Sequence, residues 1–350
     1  MSLTIMIDCP MMVLSVGLKP KQSFFNTLSI FSLMNEYTKK QALTDSRFGK
    51  HPSERTVAEL IEFGCISIDK PPGPTSHQVS DYVQKILGIE SAGHGGSLDP
   101  QVTGVLPVTL DRATRLSQVM LKSGKEYIGV MHLHHDVDGQ KLRAVIQKHF
   151  IGTITQMPPV RSAVKRALRE RNVYRFDILE IEEKDVLFHV ECQAGTYIRK
   201  LCSDLGQKLN VGAHMLSLRR VRAAHFREYD SVTLQDVQDA MTLLKQGNEK
   251  FIRHCIHPAE KMIEFLPKVW VFDSAVESIC HGRDVAVPGI SKFSDIKLND
   301  DVAVMTLKDE LVALGIAQMD DKSIMKSEKG IAVRVHKVFM KAGTYGGATG

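Results

Sequence analysis

Apolar and polar positions change places in short blocks along this chain, and each block points to a modest element. Cys65-Ile-Ser-Ile-Asp-Lys alternates like a strand and runs into the Pro71-Pro72-Gly73-Pro74 turn. Thr75 or Ser76 can then cap a helix with Val79, Val83, Ile86 and Leu87 on one face. Val105 to Leu110 is a continuous apolar run, the mark of a buried strand, and Asp111 is placed to cap a helix that turns Leu116, Val119 and Met120 inward. Lys125 to His134 reads as a strand and Leu142 to Phe150 as a short helix. Val173 to Ile181 and Val186 to Cys192 read as two strands paired across Glu182 to Asp185. Thr196 is the expected cap of a helix running to about Leu209, with Gly212 past its end, and Leu216 to Val221 is a further strand.

Hairpin-like strands with helices between them predict an α+β fold on a mainly antiparallel sheet over residues 55–264. From about Phe265 the texture changes. Val269–Phe272, Val285–Val287, Val302–Thr306, Leu311–Gln318 and Ile331–Val338 are short strands between turns, so residues 265–341 read as a small β-rich domain. The Gly- and Thr-rich tail, 342–350, is expected to fray. Residues 1–54 stand apart as an N-terminal extension. Its apolar runs, Met11 to Leu18 and Phe24 to Met34, are too short to cross a bilayer, and no basic region precedes the first as in a signal peptide. Met34-Asn-Glu-Tyr-Thr-Lys-Lys is a sensible start for a soluble protein, so the extension is expected to be poorly ordered or to precede the true start.

Composition narrows the class. With 43% hydrophobic and 24% charged residues, the chain is ordinary for a globular protein with a sizeable core. A net charge of +5 leans toward an anionic partner. Cysteines at 9, 65, 192, 202, 255 and 280 form no C-x-x-C pair, which favours a reducing compartment, the cytoplasm, over a disulfide framework.

The chemistry concentrates in Gly93-His-Gly-Gly-Ser-Leu-Asp-Pro100. It isolates one carboxylate, Asp99, in a glycine-rich turn. Gly95 and Gly96 permit close backbone approach or positive φ, and Pro100 biases Asp99 toward extended backbone. A carboxylate held this way, with His94 nearby, suits a nucleophile or an acid/base; an Asp-Pro pair after glycines is otherwise simply a turn. Gly195-Thr-Tyr-Ile-Arg places Tyr197 and Arg199 in the first turn of a helix, where they can reach into a cleft. Taken alone, that segment is an ordinary capped amphipathic helix. Six positive charges and one negative fall within Arg161 to Arg175, including Arg161, Lys165 and Arg166, and Arg219, Arg220, Arg222 and Arg227 form a second basic group. Charge runs usually mark solvated faces; two in a modestly basic chain are expected to contact RNA phosphates, with salt-sensitive binding. His132 and His134 share a strand face, but no Cys or further ligand motif accompanies them and no metal is expected.

Gly-His-Gly-Gly-Ser-Leu-Asp-Pro-x-x-Thr-Gly-Val-Leu-Pro resembles the catalytic motif of the TruB/dyskerin family of pseudouridine synthases, with Ser97 where that family usually has Thr or Ala. Gly-Thr-Tyr-Ile-Arg matches a second family motif letter for letter. The resemblance spans roughly residues 62–341 and implies an RNA pseudouridine synthase without a cofactor. It implies that Asp99 is catalytic, that Tyr197 assists proton removal at C5 or packs the sugar, and that Arg199 pairs with Asp99. Lys125-Glu-Tyr would set Tyr127 against an extruded uracil, with His94 and Leu218 in the substrate site. Lys70, in a segment similar to the family's Lys-Pro-x-Gly-x-x-Ser, would brace the active loop together with Gly96 and Pro100.

The segment from Lys268 to about Lys341, with Asp273-Ser-Ala-Val and Ala286-Val-Pro-Gly-Ile, resembles a PUA domain, a small pseudo-barrel that grips RNA. Ser162-Ala-Val-Lys165 runs quickly into Val173-Tyr-Arg-Phe, without the longer insertion of bacterial TruB enzymes, and long Lys-rich tails are absent. The closest resemblance is therefore to archaeal catalytic subunits of box H/ACA particles. Implied partners are a guide RNA, rRNA or tRNA substrates, a small zinc-binding protein, a small β-barrel protein and a kink-turn-binding protein, with no membrane. The alternatives are a stand-alone enzyme acting on the TΨC loop of tRNA and a non-catalytic RNA scaffold.

Overall fold

A computed structural model describes residues 34–158 and 167–346. The chain runs through β1 (Glu36–Thr38), α1 (Val57–Glu62), β2 (Gly64–Lys70), α2 (Ser76–Leu87), β3 (Ala92–His94), β4 (Thr103–Leu110), α3 (Ser117–Leu121), β5 (Lys125–Leu133), α4 (Gly139–His149), β6 (Gly152–Gln156), β7 (Arg169–Glu182), β8 (Asp185–Cys192), α5 (Ile198–Lys208) and β9 (Ala213–Ala223). Strands β2 to β9 build one sheet in the order β2-β4-β9-β5-β8-β7-β6, with β3 also on β4. Its pairings are antiparallel except β4 with β9, which meet in parallel only at Thr103↔Arg219 and Gly104↔Arg220. That junction needs a glycine: Gly104 has φ +102, and a Cβ there would lie 2.2 Å from the Arg220 carbonyl oxygen.

Local signals explain most boundaries. Thr75 caps α2 in a reciprocal box, its Oγ accepting from Gln78 N–H at 3.1 Å while Gln78 Oε1 accepts from Thr75 N–H at 2.8 Å. Asp138 caps α4 through Gln140 and Lys141, three residues earlier than the apolar run suggests. Asp111 is not a cap. It sits at φ +43 in a 3₁₀ turn that Leu110 precedes without a side-chain hydrogen bond. Among the described residues no helix is long and apolar enough to cross a membrane.

The second sheet holds, in order, β1, Ile290–Ser294, Lys268–Val271, Asp301–Met305, Leu311–Ala317, Ile331–Val338 and Val285–Ala286. The strand Ile290–Ser294 and the helix Asp273–Cys280 are additions to the elements expected from sequence. The expected extension over 1–54 is corrected from residue 36 onward. Strand β1 pairs with Ile290–Ser294, Lys39 Nζ donates to the carbonyls of Ile324 and Ser327 at 2.8 and 2.7 Å, and Asp273 accepts from Asp45 N–H at 2.7 Å. The runs before residue 34 lie outside the described residues. The frayed tail is corrected up to residue 346, since Tyr345 is fully buried and its hydroxyl donates to Glu310 at 2.7 Å.

The two sheets share a core. Phe63, Leu116, Met120 and Phe226 pack with Trp270, Met305, Leu314 and Phe339. Arg55 grips Glu260 with two 2.7 Å bonds, and Glu260 also accepts from Leu311 N–H at 3.0 Å. The boundary near residue 264 is thus a change of sheet within continuous packing.

Candidate active site

Asp99 lies in the loop between β3 and β4, and the loop is clamped from both sides. Leu98 and Val102 plunge into the core. The buried Ser76 Oγ accepts from Leu98 N–H at 2.7 Å and donates to Leu98 O at 3.2 Å. Gly73 N–H donates to Pro100 O at 2.9 Å, and Val102 N–H to Asp99 O at 3.0 Å. Lys70 is fully buried, and its ammonium donates to the carbonyls of Pro71, Pro100 and Val102 at 2.9, 2.9 and 3.0 Å. Gly96 takes φ +137, while at Gly95 a Cβ would meet Met120 at 2.8 Å. Everything around Asp99 is fixed, and its carboxylate is left exposed.

The partner of that carboxylate is Arg199. Its guanidinium donates to Asp99 Oδ2 from the second residue of α5, and both side chains are more than half exposed. The turn before α5 differs in detail from the sequence expectation. Tyr197, not Thr196, is the cap position, and Thr196 Oγ instead donates to Gln193 O at 2.7 Å. What holds Tyr197 is Gln156, a buried side chain at the end of β6. Gln156 accepts from Tyr197 N–H at 3.0 Å and donates to Tyr197 O at 3.2 Å. Nothing in the 3.6- or 2-residue periodicity singles Gln156 out; only a polar residue at a buried strand position hints at it.

Beneath the loop, Tyr127 and Leu218 belong to the same core cluster as Leu98 and Val102. Burial raises the Tyr127 phenol above its usual range, and its hydroxyl is hydrogen-bonded with Arg220. His94, at the end of β3, has a buried Nδ1 without a hydrogen-bond partner among the described residues. Burial, helped by Arg220, lowers its pKa and favours the neutral ring.

In the second basic group Arg220 and Arg222 are buried and Arg219 is ion-paired at the surface. Arg220 is 1% exposed and donates to Val105 O at 2.7 Å and Gly96 O at 3.0 Å. Arg219 is held in two 2.9 Å bonds to Asp69 and also pairs with Glu228. Arg222 is 3% exposed between Glu126 and Glu191. A charge run on a strand is split by the two-residue period, and here Arg220 and Arg222 are spent inside the layer while Arg219 stays partly exposed. Arg161, Lys165 and Arg166 lie outside the described residues. His132 contacts Asp185 at 2.6 Å and His134 contacts His214 at 3.0 Å, and no cluster that could hold a metal occurs among the described residues.

Known proteins bear on this geometry. The sequence matches the TruB family pseudouridylate synthase (N terminal domain) over residues 84–198 and the tRNA pseudouridylate synthase B C-terminal domain over 199–264. It also matches the PUA domain over 267–339 and the DKCLD (NUC011) domain over 29–80. A protein of Methanopyrus kandleri, named probable tRNA pseudouridine synthase B, is 50% identical over 89% of this chain and 93% of its own length. A protein of the same name from Pyrococcus abyssi is 53% identical over 87% and 92%. Among solved structures, a Cbf5-Nop10-Gar1 complex contains a chain with 51% identity and TM-score 0.86, covering 89% of this chain and 96% of that one. An H/ACA RNP bound to a substrate RNA containing 2'-deoxyuridine matches at 49% identity and TM-score 0.84, with the same coverage.

Proposed function

This chain belongs to the TruB family of pseudouridylate synthases and is an RNA-modifying isomerase, and from that premise we propose that Asp99 is its catalytic residue, acting on a uridine presented by a guide RNA. The observation that carries the reading is the clamped Asp99 turn facing Arg199 above Tyr127 and Leu218.

The steps follow from the residues. Arg199 orients the Asp99 carboxylate through their ion pair. The N1–C1′ bond of the uridine breaks with its electron pair leaving on the uracil. Asp99 either bonds to C1′ or takes the proton from C2′. The uracil turns over in the pocket, C5 bonds to C1′, and Asp99 is released or returns its proton. C5 then loses its proton while N1 gains one, so the net reaction is an isomerisation and requires no redox or energy cofactor. Tyr127 supports the extruded base, and Tyr197, held by Gln156, stands where it can pack the sugar or assist at C5. Lys70, Gly96 and Pro100 keep the turn in place, and His94 and Leu218 complete the pocket.

Guide dependence is supported by relatives solved as complexes with Nop10 and Gar1 and as an H/ACA particle with substrate RNA. We assign this chain partners of that kind, a guide RNA held through the PUA domain, and a cytoplasmic location. A second reading, a stand-alone enzyme on tRNA, is favoured by the names of the archaeal relatives. Pseudouridine formation on a naked tRNA and on a target RNA with guide and partner proteins separates them. Product only in the guided reaction is expected. Product on tRNA alone selects the second reading, and RNA binding without product in either would leave a scaffold.

A further inference from the structure

Three cations crowd beneath the Asp99 turn. Arg220, Lys125 and Lys70 are 1%, 5% and 0% exposed. Each is satisfied by neutral oxygens. Arg220 uses Val105 O, Gly96 O and the Tyr127 hydroxyl. Lys125 donates to Met120 O at 2.8 Å, Ser123 O at 2.7 Å and Ser123 Oγ at 3.2 Å. Lys70 uses two carbonyls of the turn itself, Pro100 O and Val102 O, together with the neighbouring Pro71 O. None is ion-paired with a carboxylate among the described residues. Two of them converge on one point, since the Cβ position of Gly96 lies 3.6 Å from both Arg220 Nη1 and Lys125 Cε.

Such an arrangement is costly. Buried charges are normally paired, and like charges at close range oppose one another. The cost falls on the lysines: burial and then Arg220 push Lys125 down to about 7, and burial and then Arg220 also lower Lys70. The carboxylate that acts on Lys70 across the turn is Asp99. A fold that only needed to brace this turn could do so with neutral donors. Positive charge aimed at a site where negative charge develops is the arrangement that lowers a barrier, because it is in place before the reaction begins.

We propose that Arg220, Lys125 and Lys70 form a buried cationic floor under the Asp99 turn that stabilises the negative charge on the uracil while its bond to the ribose is broken. This rests on the uridine isomerisation assigned above. The three are positioning residues, acting through the turn and Tyr127 without touching the base.

The test measures steady-state rates of the full chain at pH 6, where Lys125 carries its proton, on whichever RNA of the preceding section gives product, for wild type, Arg220→Met, Arg220→Lys and Lys125→Met. Thermal unfolding confirms folding first. If Arg220→Met does not fold, Lys125→Met carries the comparison. We expect neutralisation to cut kcat by about thirtyfold or more with KM changed less than about threefold. Arg220→Lys, which keeps the charge and loses the fork, should recover most of that. Wild-type kcat in the neutral variants, a loss confined to KM, or Lys no better than Met would each overturn the floor. Wild type without product on either RNA would instead overturn the isomerase reading, and the floor with it.

Discussion

Arg220 and Arg222 stand two residues apart on β9, almost equally buried, and live in opposite electrostatic surroundings. Arg222 joins Glu126, Glu191 and, through Glu126, His189 in a compensated network. Arg220 shares its surroundings with Lys125 and Lys70 and is solvated by carbonyls. Burial would raise the Glu126 carboxyl, but hydrogen bonds from His189 and Arg222 outweigh it and hold the group at about 2. Under the Asp99 turn burial and Arg220 outweigh the opposing pull of Asp99 on Lys70. The lesson is that one strand carries a structural ion network and, one step away, a charge imbalance placed beneath the candidate catalytic residue.

The comparison breaks most sharply by removing each arginine. Arg222→Met leaves the half-buried Glu126 and Glu191 without their shared arginine, with only His189 remaining on Glu126, and a loss of up to about 3–5 kcal/mol is expected in chemical denaturation. Arg220→Met leaves only carbonyls and a phenol, and about 1–3 kcal/mol is expected. Equal losses would erase the distinction.

Acidity should separate the regions as well. Glu126 is depressed when folded, so its contribution is present above pH 4.5 and lost as pH falls toward 2. Lys125 is also depressed, but as a base: between pH 7 and about 10.5 the unfolded chain binds the extra proton, so stability rises with pH across that window. The difference between wild type and Lys125→Met should carry up to about 1.4 kcal/mol per pH unit there, and a flat difference would show that Lys125 is not held low. Smaller still is the effect of Gln156→Leu, which frees the Tyr197 backbone. About a tenfold fall in kcat with a modest change in melting temperature is expected. An unchanged kcat would remove Gln156 from the account.

How far these regions were legible in sequence differs for physical reasons. Strands β2, β4, β5, β7, β8 and β9 follow from the apolar pattern while the short β3 and β6 do not, and Asp99 stands out because glycines and a proline isolate it. Arg199 is reached through a motif, since no local pattern pairs residues a hundred positions apart. Arg220 and Arg222 mislead because charge suggests solvent, whereas β9 lies inside the sheet and turns alternate residues into it. Strand β1 is missed because three residues carry too little periodicity, and their partners lie some 250 residues away. Gln156 and Ser76 act through backbone atoms of distant turns, which no sequence spacing encodes.

The most direct test of the central claim compares wild type with Asp99→Asn in tritium release from C5-labelled uridine RNA. The Asp99 side chain is exposed and its turn is held by backbone bonds, so the variant should fold and bind RNA as wild type does. Loss of release by more than about a thousandfold is expected, with RNA affinity intact. Release from Asp99→Asn at a rate near that of wild type would contradict it.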